Sequence, residues 1–240
     1  MTVIIIILIF SAILGGLASN FFSAQTSSIR YPLIFAGSFL FSITIIHILP
    51  EVFALSSNPM RVGLFVLGGF FFQQFLEYFT SGVEHGHAHA HHHMTGVSKF
   101  GLLSALVIHS LLEGALLTHD SPFHDQHESY SLLVGIVLHK VPAAFALMTT
   151  LKTEKGFDLR LWVILITFSI ASPLGLFMSD FILELSSDNL MFLFAFVSGS
   201  FLHISTTIFV ESSPNHHFGV KKFVISLSGA LLAILTEFVL

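Results

Sequence analysis

Eight apolar runs dominate this chain, near 2–22, 32–54, 62–80, 99–118, 130–151, 160–182, 190–211 and 221–239. A bilayer-spanning helix needs about 20 mainly apolar residues, and each run meets or approaches that length. The expected fold is all-α: a polytopic membrane protein with eight transmembrane helices. Composition agrees, with 54% hydrophobic and only 10% charged residues, against about 25% charged in soluble domains. No long polar segment exists to build a second core, so residues 1–240 read as one transmembrane domain. The first run begins at Val3 with no basic residue before it. It therefore reads as a retained helix rather than a cleaved signal ending near residues 18–20.

The connections are short and polar, with one exception. Residues 81–98, SGVEHGHAHAHHHMTGVS, form a low-complexity His/Gly/Ala tract with no apolar face to bury, and disorder is the expectation. Basic residues set the orientation. With the N-terminus outside, the inner connections hold Arg30, Lys99, Lys152, Lys155, Arg160, Lys221 and Lys222, and the outer ones only Arg61. Both termini are then non-cytoplasmic and the His-rich loop is cytoplasmic. The segment from Thr118 to Tyr130, with Asp120, His124, Asp125, His127 and Glu128, becomes an acidic, imidazole-bearing outer mouth. A weak repeat is also visible: Gly-Ser-Phe-Leu occurs at 37–40 in the second run and at 199–202 in the seventh. These two runs point opposite ways, which would make the repeat inverted, a pattern common in transporters.

Polar groups at mid-span carry the chemistry. His109 and Glu113 sit in the fourth run, His139 and Lys140 in the fifth. A charged side chain at the bilayer centre costs about 2.5–3.5 kcal/mol on insertion scales and marks function by default. His109 and Glu113 are four apart and share a helix face. At 1.5 Å per residue, His109 lies about 15 Å in from Lys99 and His139 about 13–14 Å in from Tyr130, so the two rings are level near the midplane. Imidazole and carboxylate from neighbouring helices suit a divalent metal such as zinc. With no cysteine in the chain, disulfides and thiolate sites are excluded. Pro142 is expected to kink the fifth helix beside His139, and Ser172–Pro173, with Ser169 one turn earlier, to break the sixth. The net charge of −5 is spread over loops and argues against a nucleic-acid partner.

At these residues the chain resembles the ZIP family of zinc and iron transporters. HSLLEG at 109–114 is similar to the family's fourth-helix motif, and HKVPAAFAL at 139–147 resembles the fifth-helix motif of the branch reading His-Lys-x-Pro-Ala-Ala-Phe. HILPE at 47–51, ASPLG at 171–175 and SGSFL at 198–202 fit the second, sixth and seventh helices. The resemblance implies inverted repeats around the fourth and fifth helices, a homodimer, and a metal site between those helices made by His109, Glu113 and His139. Many relatives have Glu where this chain has Ala143, and Lys140 stands where some relatives place a second-metal carboxylate. One core metal rather than two is the expectation. The resemblance further suggests His47 and Glu51 as a pathway mouth and His203 as part of the exit. Lys140, Ser169 and Glu211 follow as lesser pathway or gating residues, Glu211 insecurely because its surroundings read Phe-Val-Glu-Ser rather than Leu-Pro-Glu. His85, His87, His89, His91, His92 and His93 are weak loop ligands.

The resulting expectation is a multi-pass integral membrane protein that carries Zn2+, with iron, manganese or cadmium as further candidates, toward the cytoplasm. The metal is substrate, and no catalytic cofactor is expected. Two rivals stand beside this reading. An intramembrane zinc hydrolase would keep its metal and activate water, but no His-Glu-x-x-His occurs, and His-x-x-x-His occurs only within 85–93. A metal-sensing receptor would bind without flux.

Overall fold

In lipid, backbone N–H and C=O groups must find partners within the structure, and a helix supplies them from its own segment. The computed structural model describes residues 1–21, 27–80, 96–117, 128–152, 157–179, 187–211 and 219–239, and these residues form eight helical rods. They are α1 (Thr2–Ala18), α2, α3 (Pro59–Thr80), α4 (Gly96–Ala115), α5 (Glu128–Leu151), α6 (Leu159–Phe177), α7 (Ser187–Glu211) and α8 (Val220–Val239). Helix α2 is built in three consecutive stretches, Ser27–Ile43, a wide π-type turn Thr44–Ile48, and Leu49–Leu55. Each expected apolar run is thus helical. The stretches Tyr31–Leu55, Leu132–Leu151, Leu159–Phe177 and Asn189–Phe209 are long and apolar enough to cross a membrane, and Thr2–Ala18 and Phe100–Ala115 are apolar but shorter.

The outer surface is more apolar than that of a water-soluble bundle. Leu64, Phe71 and Phe75 on α3 and Phe223, Leu227 and Leu231 on α8 are exposed, whereas His109, Glu113, His139 and Lys140 are buried. Large apolar side chains facing outward suit a hydrocarbon surround, and ionisable ones facing inward are where such groups are tolerated.

The helices pack most extensively as α3 with α7, α2 with α8, α4 with α6, and α1 with α5. Exchanging the first three helices with the last three, and α4 with α5, maps this set onto itself. The two Gly-Ser-Phe-Leu segments follow the same rule. Ser38 Oγ donates to the Ser226 carbonyl of α8 at 2.6 Å, and Ser200 Oγ donates to the Gly69 carbonyl of α3 at 3.3 Å. Phe39 and Phe201 are both fully buried. The repeat seen weakly in sequence is therefore a repeat of contacts.

Glycine makes the closest approaches possible. Gly114 of α4 lies against the Ser172 carbonyl of α6, and Gly175 of α6 against the Leu111 carbonyl of α4. Gly15 of α1 lies against the Val141 carbonyl of α5. Small residues at such crossings let backbones touch, which is how helices associate where no hydrophobic drive separates them from lipid.

The expected break at Ser172–Pro173 does not occur, since α6 runs unbroken to Phe177 and α5 likewise runs through Pro142. Membrane helices tolerate proline where neighbouring helices and Ser/Thr side chains support the backbone. Here Pro173 is buried, in the turn that packs on Gly114. The irregular turn lies in α2 instead. Pro50 has no N–H to offer the Ile46 carbonyl, and just before it Leu49 N–H bonds back five residues to the Thr44 carbonyl.

Candidate metal centre

Helical periodicity places His109 and Glu113 on one face of α4, and α5 brings His139 to that face. His109 Nε2 is 2.9 Å from Glu113 Oε1. The rings of His109 and His139 meet edge to face with centroids 5.7 Å apart. One ligand atom from each of His109, Glu113 and His139 lies within 4.8 Å of the others. All three residues are at most 2% exposed. Phe201, from the second Gly-Ser-Phe-Leu segment, stands with its ring centroid 6.5 Å from that of His109. Two zinc–ligand bonds of about 2.0–2.2 Å span at most about 4.4 Å, so a single ion would draw these three ligand atoms closer together. Among the described residues this is the group of three or more His and carboxylate side chains gathered closely enough to hold one ion.

Lys140 follows His139 in the chain but turns to a different partner set. Its Nζ donates to Ser110 Oγ of α4 at 3.1 Å and to Ser172 Oγ of α6 at 2.7 Å. It also lies 4.4 Å from the ring centroid of Phe168. Lys140 is 1% exposed, so these groups stand where water would otherwise solvate its ammonium. Hydrogen bonds to a charged group contribute about 1.5–3 kcal/mol each, and a desolvated cation over an aromatic face about 2 kcal/mol. The two hydroxyls hold the ammonium beside the three-residue cluster, and they tie α4, α5 and α6 together there.

The other residues singled out in the sequence are dispersed. His47 is buried on the wide turn of α2, with Nδ1 2.9 Å from Glu237 Oε2 of α8 and Nε2 3.8 Å from Glu51 Oε2. His203 of α7 pairs through Nε2 with Glu77 of α3, and its ring packs edge to face on Phe70. Glu77 and Glu237 are mostly buried partners of these histidines. Each stands eight residues beyond a close-packed glycine, Gly69 or Gly229. Ser169 is buried and donates to the Leu165 carbonyl within its own helix. Glu211 closes α7. Histidines 85 to 93 and the mouth segment from Thr118 to His127 lie outside the described residues.

Sequence reading missed Ser110, Ser172 and Phe168 as the seat of Lys140, and missed Glu77 and Glu237. Ser110 carried a signal, a hydroxyl beside a mid-span histidine. The others come from distant parts of the chain.

No model of a protein family matches the chain. A search of curated proteins finds similarity to Protein zntD of Dictyostelium discoideum, 29% identical over 175 residues. The match covers 66% of this chain and 25% of that protein, so this chain corresponds to about a quarter of its relative's length.

Proposed function

We propose that this chain is a ZIP-type transporter that moves Zn2+, and other divalent metals of similar chemistry, toward the cytoplasm. The observation that carries the reading is the buried cluster of His109, Glu113 and His139, with ligand atoms within 4.8 Å of one another, in a helical protein with an apolar exterior. Buried ionisable groups among apolar helices are costly, and a divalent ion between two imidazoles and a carboxylate offsets that cost. The likeness to zntD supports metal transport.

In this reading the ion is held by His109 Nε2, a Glu113 carboxylate oxygen and one ring nitrogen of His139. Neutral imidazole and ionised carboxylate are the binding forms, so protons and metal compete. Lys140, fixed by Ser110 and Ser172, places a positive charge beside the ion. Like charges repel strongly at low dielectric, which keeps occupancy to one ion and holds the affinity low enough for release. His47 and Glu51 lie on the approach and His203 on the exit.

Metal uptake into proteoliposomes is the test, with zinc, iron, manganese and cadmium compared. Saturable zinc uptake that is lost in His109→Ala and in His139→Ala, with both variants still inserted, is the expected result. Metal binding without any flux would replace the transporter with a receptor.

A further inference from the structure

The centre has an outer layer built by the neighbours of its own ligands. Ser110 follows His109 on α4, and Lys140 follows His139 on α5. Successive residues of a helix point about 100° apart. These two side chains therefore leave the cluster and meet beside it, where Lys140 Nζ donates to Ser110 Oγ at 3.1 Å. The third member comes from α6, where Ser172 Oγ accepts from the same Nζ at 2.7 Å. Gly114, next to Glu113, makes that reach possible, because its lack of a Cβ lets α4 lie directly on the Ser172 carbonyl. Ser110, Ser172 and Lys140 are all at most 1% exposed.

The two hydroxyls decide where the ammonium stays. A lysine side chain is a flexible four-carbon stem ending in a compact charge. Lys140 shares its buried surroundings with the Glu113 carboxylate, whose charge is felt at the ammonium. Opposite charges attract strongly at low dielectric. An ammonium that moved onto this carboxylate would cover an oxygen that a metal ion needs, and would bring a like charge up against the ion. Hydrogen bonds from an ionised donor are of the stronger kind. Two of them, with the Phe168 ring centroid 4.4 Å from Nζ, draw the ammonium toward α6 instead. Neutral hydroxyls do this without adding a second anion to the centre.

We propose that Ser110 and Ser172 are positioning residues of the metal centre: they hold the Lys140 ammonium on the α6 side and so leave the Glu113 carboxylate to the ion. The proposal rests on the reading of His109, Glu113 and His139 as metal ligands. It gives the two serines a role in metal affinity beyond joining three helices.

Co2+ binding at one fixed pH, followed by visible absorption, tests this on the full chain in nanodiscs with residues 85–93 deleted. Ser110→Ala with Ser172→Ala should raise the Co2+ dissociation constant about 10–100-fold, the usual effect of losing groups that support metal ligands from behind. Saturation at one Co2+ per chain should be unchanged, which shows that the fold persists. The same two changes made together with Lys140→Met, which keeps an apolar stem and removes the charge, should leave the dissociation constant at the value for Lys140→Met alone. A purely architectural role for the serines predicts the same loss of affinity in both backgrounds, and that result overturns the proposal. So does a dissociation constant indifferent to the serine changes while Lys140 is present. Absence of Co2+ binding from the starting protein would instead remove the ligand assignment itself, and this proposal with it, so the two failures are told apart.

Discussion

At the scale of single residues, the centre divides its labour between adjacent positions. His109 faces the cluster while Ser110 serves Lys140, and His139 faces the cluster while Lys140 reaches across to α4 and α6. Removing either imidazole takes away one of the three proposed ligands of a buried site. Uptake by His109→Ala or His139→Ala is expected to fall to the level of empty vesicles, and near-normal uptake by either would sink the assignment. Acidification should lower uptake at fixed zinc. Protonation of imidazole, which titrates near about pH 6.5 in model peptides, removes the lone pair the metal needs. A pH series of initial rates that rises toward acid would contradict metal binding by neutral imidazole. Lys140→Asp replaces a fixed cation by an oxygen ligand, next to the Ser110 and Ser172 hydroxyls. The core of that variant is expected to hold two zinc ions per chain instead of one, counted by elemental analysis on a protein lacking residues 85–93. A single metal in a variant that still transports would show that the ammonium occupies no latent metal position.

At the scale of helices, glycine sets how closely the walls of the centre approach. A Cβ on Gly114 or Gly175 would collide with the backbone of the opposing helix, whereas Gly63 on α3 has nothing within 4 Å of that position. Gly114→Ala and Gly175→Ala should each destabilise the protein by about 1–3 kcal/mol, the usual cost of overpacking, and displace His109 relative to α6. Gly63→Ala should be neutral or slightly stabilising, because alanine is the better helix former. Thermal melting in detergent, compared across the three, checks this. The helices themselves were legible in the sequence because runs of about 20 apolar residues are a strong local signal. So were His109 and Glu113, whose four-residue spacing is a local rule. The partners of Lys140 and His47 were not legible, since Ser172 is 32 residues from Lys140 and Glu237 lies at the opposite end of the chain from His47. Periodicity says which face a residue occupies, not which helix that face will meet. Proline misled in α6 for a related reason, because the neighbouring helix that supports Pro173 is invisible to local reasoning.

At the scale of the whole molecule, transport should depend on the helical body and not on the His-rich tract. Deleting residues 85–93 is expected to leave maximal flux within about twofold, because this His/Gly/Ala sequence has no apolar residues to bury beyond alanine. Complete loss of flux would place those histidines on the path. A further consequence comes from the matched walls of the centre. Gly15 meets the Val141 carbonyl and Gly175 meets the Leu111 carbonyl, and Val141 and Leu111 each stand two residues after a site histidine. In the proposed transporter, an ion in the centre therefore has a glycine–carbonyl contact of the same kind on either hand. Microscopic reversibility then makes the direction of net flow a property of the two solutions. Vesicles loaded with zinc and diluted into zinc-free buffer should empty through this protein at a rate comparable to that at which they fill.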